Sequence, residues 1–140
     1  MFRKSWVLLF VAVVLLAACG GQAAPAASGG DAANGQKLFQ QATLGKDKVP
    51  GCATCHSLEP DKKLVGPSLA GIATDAASTV KEADYKGQAK TAQDWLRESI
   101  INPNADVPEG FQPNIMPQNL KDELSSQEMN SLIAYLMTLK

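Results

Sequence analysis

The most regular apolar pattern lies near the C-terminus, where Met129, Leu132, Ile133 and Leu136 recur at the i, i+3, i+4, i+7 spacing of one helix face. Ser125 and Glu128 stand just ahead of it at capping-box spacing, so a helix is predicted from there to the terminus. A second helix is predicted from about Thr91, carrying Trp95, Leu96 and Ile100 and ending before Asn102-Pro103. Thr91 and Asp94 repeat the capping-box spacing there, with a shortened acid. A further helix over residues 32–41 turns Leu38 and Phe39 inward, and its Gly35 lets it cross the last helix closely beside Phe39 and Tyr135. Short helical turns are expected at residues 51–56 and near 69–74. No stretch alternates as a half-buried strand does. The pattern predicts one all-α domain over residues 32–140, with three main helices and short turns.

The first thirty residues are patterned differently. Arg3 and Lys4 precede thirteen uncharged, mostly apolar residues (6–18), and Cys19 follows. The run falls short of the about 20 residues that a membrane span needs, and it has the length of a signal-peptide core behind a basic flank. Its end, Leu16-Ala17-Ala18-Cys19, resembles the bacterial lipobox, where the signal is removed just before a cysteine that receives a lipid. The resemblance implies a signal peptide over 1–18, lipidation of Cys19, and a domain anchored at the outer, periplasmic face of the cytoplasmic membrane. A plain secretory signal and a retained N-terminal helix are the other readings, and all three export the domain. Beyond Cys19, residues 20–31 are dominated by Gly, Ala, Ser and Pro without apolar period, which makes 19–31 a flexible tether with a mean reach of roughly 20 Å.

Charge narrows the partners. The chain holds 13 basic and 14 acidic residues, and its formal charge is −1. A nucleic-acid partner would want a basic face, so none is expected. Only five of the eight aromatics fall within the domain: Phe39, Tyr85, Trp95, Phe111 and Tyr135. That is lean for roughly 110 residues, and a large bound cofactor would fill the deficit. The cysteines number three, which argues against a simple disulfide framework, and there is one histidine.

Those scarce residues converge in Cys52-Ala53-Thr54-Cys55-His56. Cysteines three positions apart share one face of a helical turn, where both thiols can add to the vinyl groups of one haem. The histidine that follows then aims its imidazole at the iron, and small Ala53 and Thr54 let the haem edge approach the backbone. A zinc site would need four ligands, of which only His56 is near besides the pair. A thioredoxin-like dithiol would need a βαβ setting that the flanks do not offer.

Over residues 32–140 the chain resembles the class I cytochromes c, small all-helical proteins folded around one covalently bound haem. The resemblance rests on Gly35 and Phe39 in the first helix, the attachment motif, Val65-Gly66-Pro67-Ser68-Leu69-Ala70-Gly71, then Asn114-Ile115-Met116-Pro117, and Tyr135 in the last helix. It implies one haem c held by Cys52 and Cys55, with His56 as an axial iron ligand. No second histidine exists, so bis-histidine ligation within the chain is excluded. Met1 leaves with the signal, and Met129 and Met137 lie in the last helix, where core packing accounts for them. Met116 sits in a loop stiffened by Pro113 and Pro117, so elimination and resemblance together make it the second axial ligand. In the family the carbonyl at the position of Pro67 accepts a hydrogen bond from the proximal imidazole; a plain turn at Gly66-Pro67 is the other reading. Trp95 is placed either to bond a haem propionate or simply to pack. Lys46, Lys48, Lys62 and Lys63 flank the motif, either as a docking face or as solvated surface diluted by Glu59 and Asp61.

The resemblance implies outer-sphere electron transfer, with no catalytic residues and no small-molecule substrate. The lipobox, the short tether and the segment 100–117 look most like the lipid-anchored monohaem subunit of alternative complex III, a quinol-oxidising assembly that passes electrons to a periplasmic carrier. They are also similar to the cytochrome domains fused to oxidase subunit II. The expected partners are the membrane, neighbouring complex subunits and a periplasmic donor or acceptor. A stand-alone tethered shuttle to a terminal oxidase is the alternative, and a peroxidase or gas sensor would need Met116 to leave the iron.

Overall fold

The computed structural model describes residues 29–140; the signal peptide expected over 1–18, Cys19 and most of the expected tether over 19–31 lie outside the described residues. Helix α1 spans Ala32–Gln40. The Asp31 carboxylate caps it by accepting the N–H groups of Ala33 at 2.9 Å and Asn34 at 3.3 Å. The C-terminal helix, Ser126–Leu136, begins with a reciprocal capping box: the Ser125 hydroxyl accepts the Glu128 N–H, and the Glu128 carboxylate accepts the Ser125 N–H. It ends at Leu136 rather than at the terminus, because Leu139 turns away and its carbonyl accepts the Ala73 N–H at 2.9 Å.

These two helices make the most extensive contact in the fold. They cross at Gly35, where a Cβ would be driven into the Ser131 carbonyl. Beside the crossing, the Phe39 and Tyr135 rings pack at 5.6 Å between centroids. The Asp31 N–H donates to the buried Ser131 hydroxyl at 3.2 Å and fixes the crossing further. Met129, Leu132, Ile133 and Leu136 are all buried, as their spacing predicts, and Met129 and Met137 both pack with the core.

The connecting segment holds more structure than its pattern shows. A hairpin of two short antiparallel strands, β1 (Thr43–Leu44) and β2 (Val49–Pro50), follows α1. Two residues per strand are too few to display an alternation, which is why no strand is predicted. The single-turn helix α2 (Cys52–Cys55) carries the cysteine pair. The turn expected at 69–74 becomes an eight-residue helix, α3 (Ile72–Thr79), held because Ile72, Ala73 and Ala76 bury one face. Its N-cap Gly71 has φ +77°, which suits glycine.

Helix α4 (Ala92–Ile101) carries Trp95 and Leu96 inward, and its Arg97 donates to Asn130 of the C-terminal helix at 2.6 Å. Its predicted capping box is only half formed. The Thr91 hydroxyl accepts the Asp94 N–H, but the shorter acid takes its bond from the Thr91 hydroxyl at 2.7 Å, not from the backbone. A further single-turn helix, α5 (Leu120–Glu123), buries Leu120 and leads into the C-terminal helix, α6. Among the described residues no helix is long and apolar enough to cross a membrane.

Candidate functional site

A largely apolar cavity of about 380 Å³ opens between α2, α4, α6 and the long segment joining α4 to α5. Its size is that of a cofactor site. Leu96, Leu132 and Leu136 contribute to its apolar lining, and Cys52, Cys55, His56 and Met116 all contribute to its walls. Residues sixty positions apart in sequence therefore meet around one space. Val65 and Ile115, each 58 % exposed, stand among its lining residues.

The histidine is set by the segment that follows it. The Gly66 N–H donates to the Cys55 carbonyl at 2.9 Å, and the Leu69 N–H donates to the Ser57 carbonyl at 2.8 Å. These bonds bring the Pro67 carbonyl to 2.9 Å from His56 Nδ1. A carbonyl only accepts, so Nδ1 carries the proton and Nε2 keeps its lone pair. Burial holds the imidazole pKa below its usual value, while the bond to Pro67 pulls it up. Gly66 is required by contact, since a Cβ there would lie 2.5–3.0 Å from three atoms of the His56 ring. Burial pushes the Cys52 thiol up to about 11.

Met116 is half-buried and packs against the core. Prolines 113 and 117 flank it as expected, but the loop is also laced by amides that its sequence does not announce. The Asn104 side chain accepts the Asn114 N–H at 2.9 Å and donates to Asn114 Oδ1 at 2.8 Å and Gln118 Oε1 at 3.0 Å. Gln118 Nε2 in turn donates to the Met116 carbonyl at 2.7 Å. Asn114 holds φ +63°, a left-handed geometry that asparagine tolerates.

Trp95 lines the same cavity, and its indole Nε1–H is buried without a hydrogen-bond partner. Such a donor costs about 1–3 kcal/mol unless an acceptor reaches it, so the cavity suits a group that is apolar in its body and carries an acceptor at its edge. Haem c, with its propionates, fits that requirement together with the two thiols and the imidazole. Zinc does not, since among the described residues no cluster of three or more His, Cys, Asp or Glu is placed to hold a metal ion. Of the four lysines, Lys62 pairs with Glu59 at 2.7 Å and Lys63 Nζ lies 5.7 Å from the Phe111 ring centre, while Lys46 and Lys48 are exposed near the hairpin turn.

Comparison with known proteins places the chain among relatives. Residues 32–140 match the family model described as cytochrome c. A cytochrome c2 of Rhodopseudomonas palustris is 29% identical over 127 residues, covering 79% of this chain and 99% of the relative. Cytochrome c-554(547) of Halothiobacillus neapolitanus is 29% identical over 111 residues, covering 79% and 99%. The match takes in every described element of the fold and both loops that supply the cavity's donors, and by it the chain belongs to the cytochrome c family: an electron-transfer protein with covalently bound haem c, and not an enzyme.

Proposed function

We propose that this chain is a membrane-tethered electron carrier whose haem c is attached through Cys52 and Cys55 and ligated by His56 and Met116. The observation that carries the reading is the shared cavity, which takes a tautomer-fixed imidazole from one loop and a braced thioether from another. When bound, haem c supplies a single-electron couple at its iron. The protein's own part is to hold that couple in place. Cys52 and Cys55 would hold it by adding their thiols to its two vinyl groups, His56 would offer Nε2 while Pro67 holds Nδ1–H, and the unpartnered Trp95 Nε1–H could donate to a propionate oxygen. Met116 offers a soft sulfur, which favours the reduced metal and raises the potential relative to nitrogen donors. With His56 and Met116 both holding the iron, the bound group would offer no open site to peroxide or a gas, and the chemistry it would supply is outer-sphere transfer.

The lipobox-like end at Cys19 and the tether behind it support export and lipid anchoring at the periplasmic face of the cytoplasmic membrane. The same sequence pattern supports membership of a quinol-oxidising complex of the alternative complex III type, delivering electrons to a periplasmic carrier or oxidase. A single set of measurements tests the reading. Met116→Ala should convert a protein inert to carbon monoxide into one that binds it, and native membranes run on a non-denaturing gel should show the haem stain co-migrating with a large complex. Carbon monoxide binding by the unaltered protein would overturn the ligand assignment. Migration as a lone small lipoprotein would replace the subunit with a tethered shuttle.

A further inference from the structure

We infer that Asn104 is a positioning residue for the distal ligand, tying the Met116 loop to the end of α4 so that the sulfur is held ready for iron. The inference rests on the reading of Met116 as an axial ligand. Asn104 lies just beyond the C-cap of α4, Asn102, and next to Pro103, so its backbone is fixed by a helix that is itself bound to α6 through Arg97 and Asn130. From there one carboxamide uses both of its ends. Its oxygen accepts the Asn114 N–H, two residues before Met116, and its nitrogen donates to Asn114 Oδ1 and to Gln118 Oε1, two residues after Met116. Gln118 then closes the circuit by donating to the Met116 carbonyl.

The methionine is thus clamped on both sides from a single amide, and its own carbonyl is fixed as well. Flanking prolines restrict torsions within the loop, but they do not fix where the loop sits relative to the rest of the domain. The amide circuit does. A thioether is a weak ligand, so its occupancy of the iron depends on how little the loop gains by swinging away. Loosening the loop therefore weakens the competition that the sulfur offers to an external ligand, without touching the core.

The test compares haem-loaded wild type with Asn104→Ala, Gln118→Ala and Met116→Ala. Two quantities are read: the dissociation constant for added imidazole, and the weak sulfur-to-iron charge-transfer absorption of the ferric protein. Thermal midpoints are recorded alongside. The expectation is that Asn104→Ala binds imidazole about tenfold tighter than wild type, equivalent to about 1.4 kcal/mol, and keeps a weakened charge-transfer band. Gln118→Ala should move both in the same direction by a smaller factor, and it keeps the test alive if Asn104→Ala fails to load haem. An imidazole affinity within twofold of wild type in both variants, with an undiminished band, overturns the inference while leaving Met116 as ligand. A wild type that lacks the band and binds imidazole as tightly as Met116→Ala overturns the ligand reading itself, and the role of Asn104 falls with it.

Discussion

Gly66→Ala is the sharpest probe of the proximal side. Gly66 does not have a positive φ, so alanine suits its backbone and the whole cost must come from contact. The added methyl would sit 2.5–3.0 Å from Cε1, Nδ1 and Nε2 of His56, where ordinary contact begins at 3.4 Å. The ring has to retreat by about 0.5–1 Å to restore normal packing. Its neighbour Cys55 lies within the attachment motif, so retreat takes the form of a tilt that draws Nδ1 off the Pro67 carbonyl. From 2.9 Å that displacement brings the pair beyond hydrogen-bond range. The lost bond costs about 1 kcal/mol and the overpacking about 1–3 more. The sum, about 2–4 kcal/mol, corresponds to a fall in Tm of roughly 10–25 °C for a domain of this size. Urea and thermal unfolding of the haem-loaded protein, followed by haem absorbance, would measure it, with proton NMR of the His56 ring reporting the tilt. Gly71→Ala is the control: nothing lies within 4 Å of its added methyl, so only the left-handed backbone is penalised, by about 1–2 kcal/mol, and the His56 resonances stay put. A Gly66→Ala protein within 0.5 kcal/mol of wild type and with unshifted His56 signals would refute the contact argument.

Gly35→Ala should be costlier still. Its methyl meets the Ser131 backbone and lies 2.7 Å from Tyr135 Cβ, none of which can yield without parting α1 from α6; a loss of about 3 kcal/mol or more is expected in urea unfolding, and a stability unchanged within error would show that the crossing is loose. The capping box of α6 carries a pH signature. Hydrogen bonds from the Ser125 side chain and then its backbone hold the Glu128 carboxyl below the usual range, so its contribution is present above that range and disappears as pH falls through the lowered pKa. Glu128→Gln should cost about 0.5–1 kcal/mol at neutral pH and flatten the acid limb of the stability profile; equal acid dependence in the two proteins would remove Glu128 from that account.

What could be read from the sequence divides along a physical line. The capping box at Ser125, the apolar stripe of α6 and the Gly35 crossing follow from local spacing, and the structure has each of them. Cys52, Cys55 and His56 form a motif because they belong to one turn and its cap, so proximity in space is proximity in sequence. The Thr91–Asp94 box is the instructive miss, since correct spacing did not guarantee reach: Glu128 accepts both the hydroxyl and the backbone N–H of Ser125, while Asp94, one methylene shorter, takes only the hydroxyl of Thr91. The strands β1 and β2 and the turn α5 were invisible because two to four residues carry no period. Asn104, Asn114 and Gln118 were hidden for a different reason. Single amides ten and fourteen residues apart resemble any polar loop until the chain folds, and only the meeting of their side chains distinguishes them.

The scarcity of aromatic residues finds its explanation in the same cavity. Phe39, Trp95 and Phe111 all line it, while Tyr135 backs Phe39 and Tyr85 is engaged with Glu98 on α4. Most of the domain's large rings are therefore arranged around a space instead of filling one another's gaps. Leu96, Leu132 and Leu136 are already buried behind that space, whereas Val65 and Ile115 at its wall are 58 % exposed and gain burial when a large apolar body covers them, at about 25 cal/mol for each Å² covered. Covalent attachment keeps the redox centre in place whatever that contact contributes. On the proposed ligation the axial residues would add little to that retention and would be free to tune the iron, so a weak sulfur ligand, braced by amides rather than by bond strength, would be tolerable at Met116.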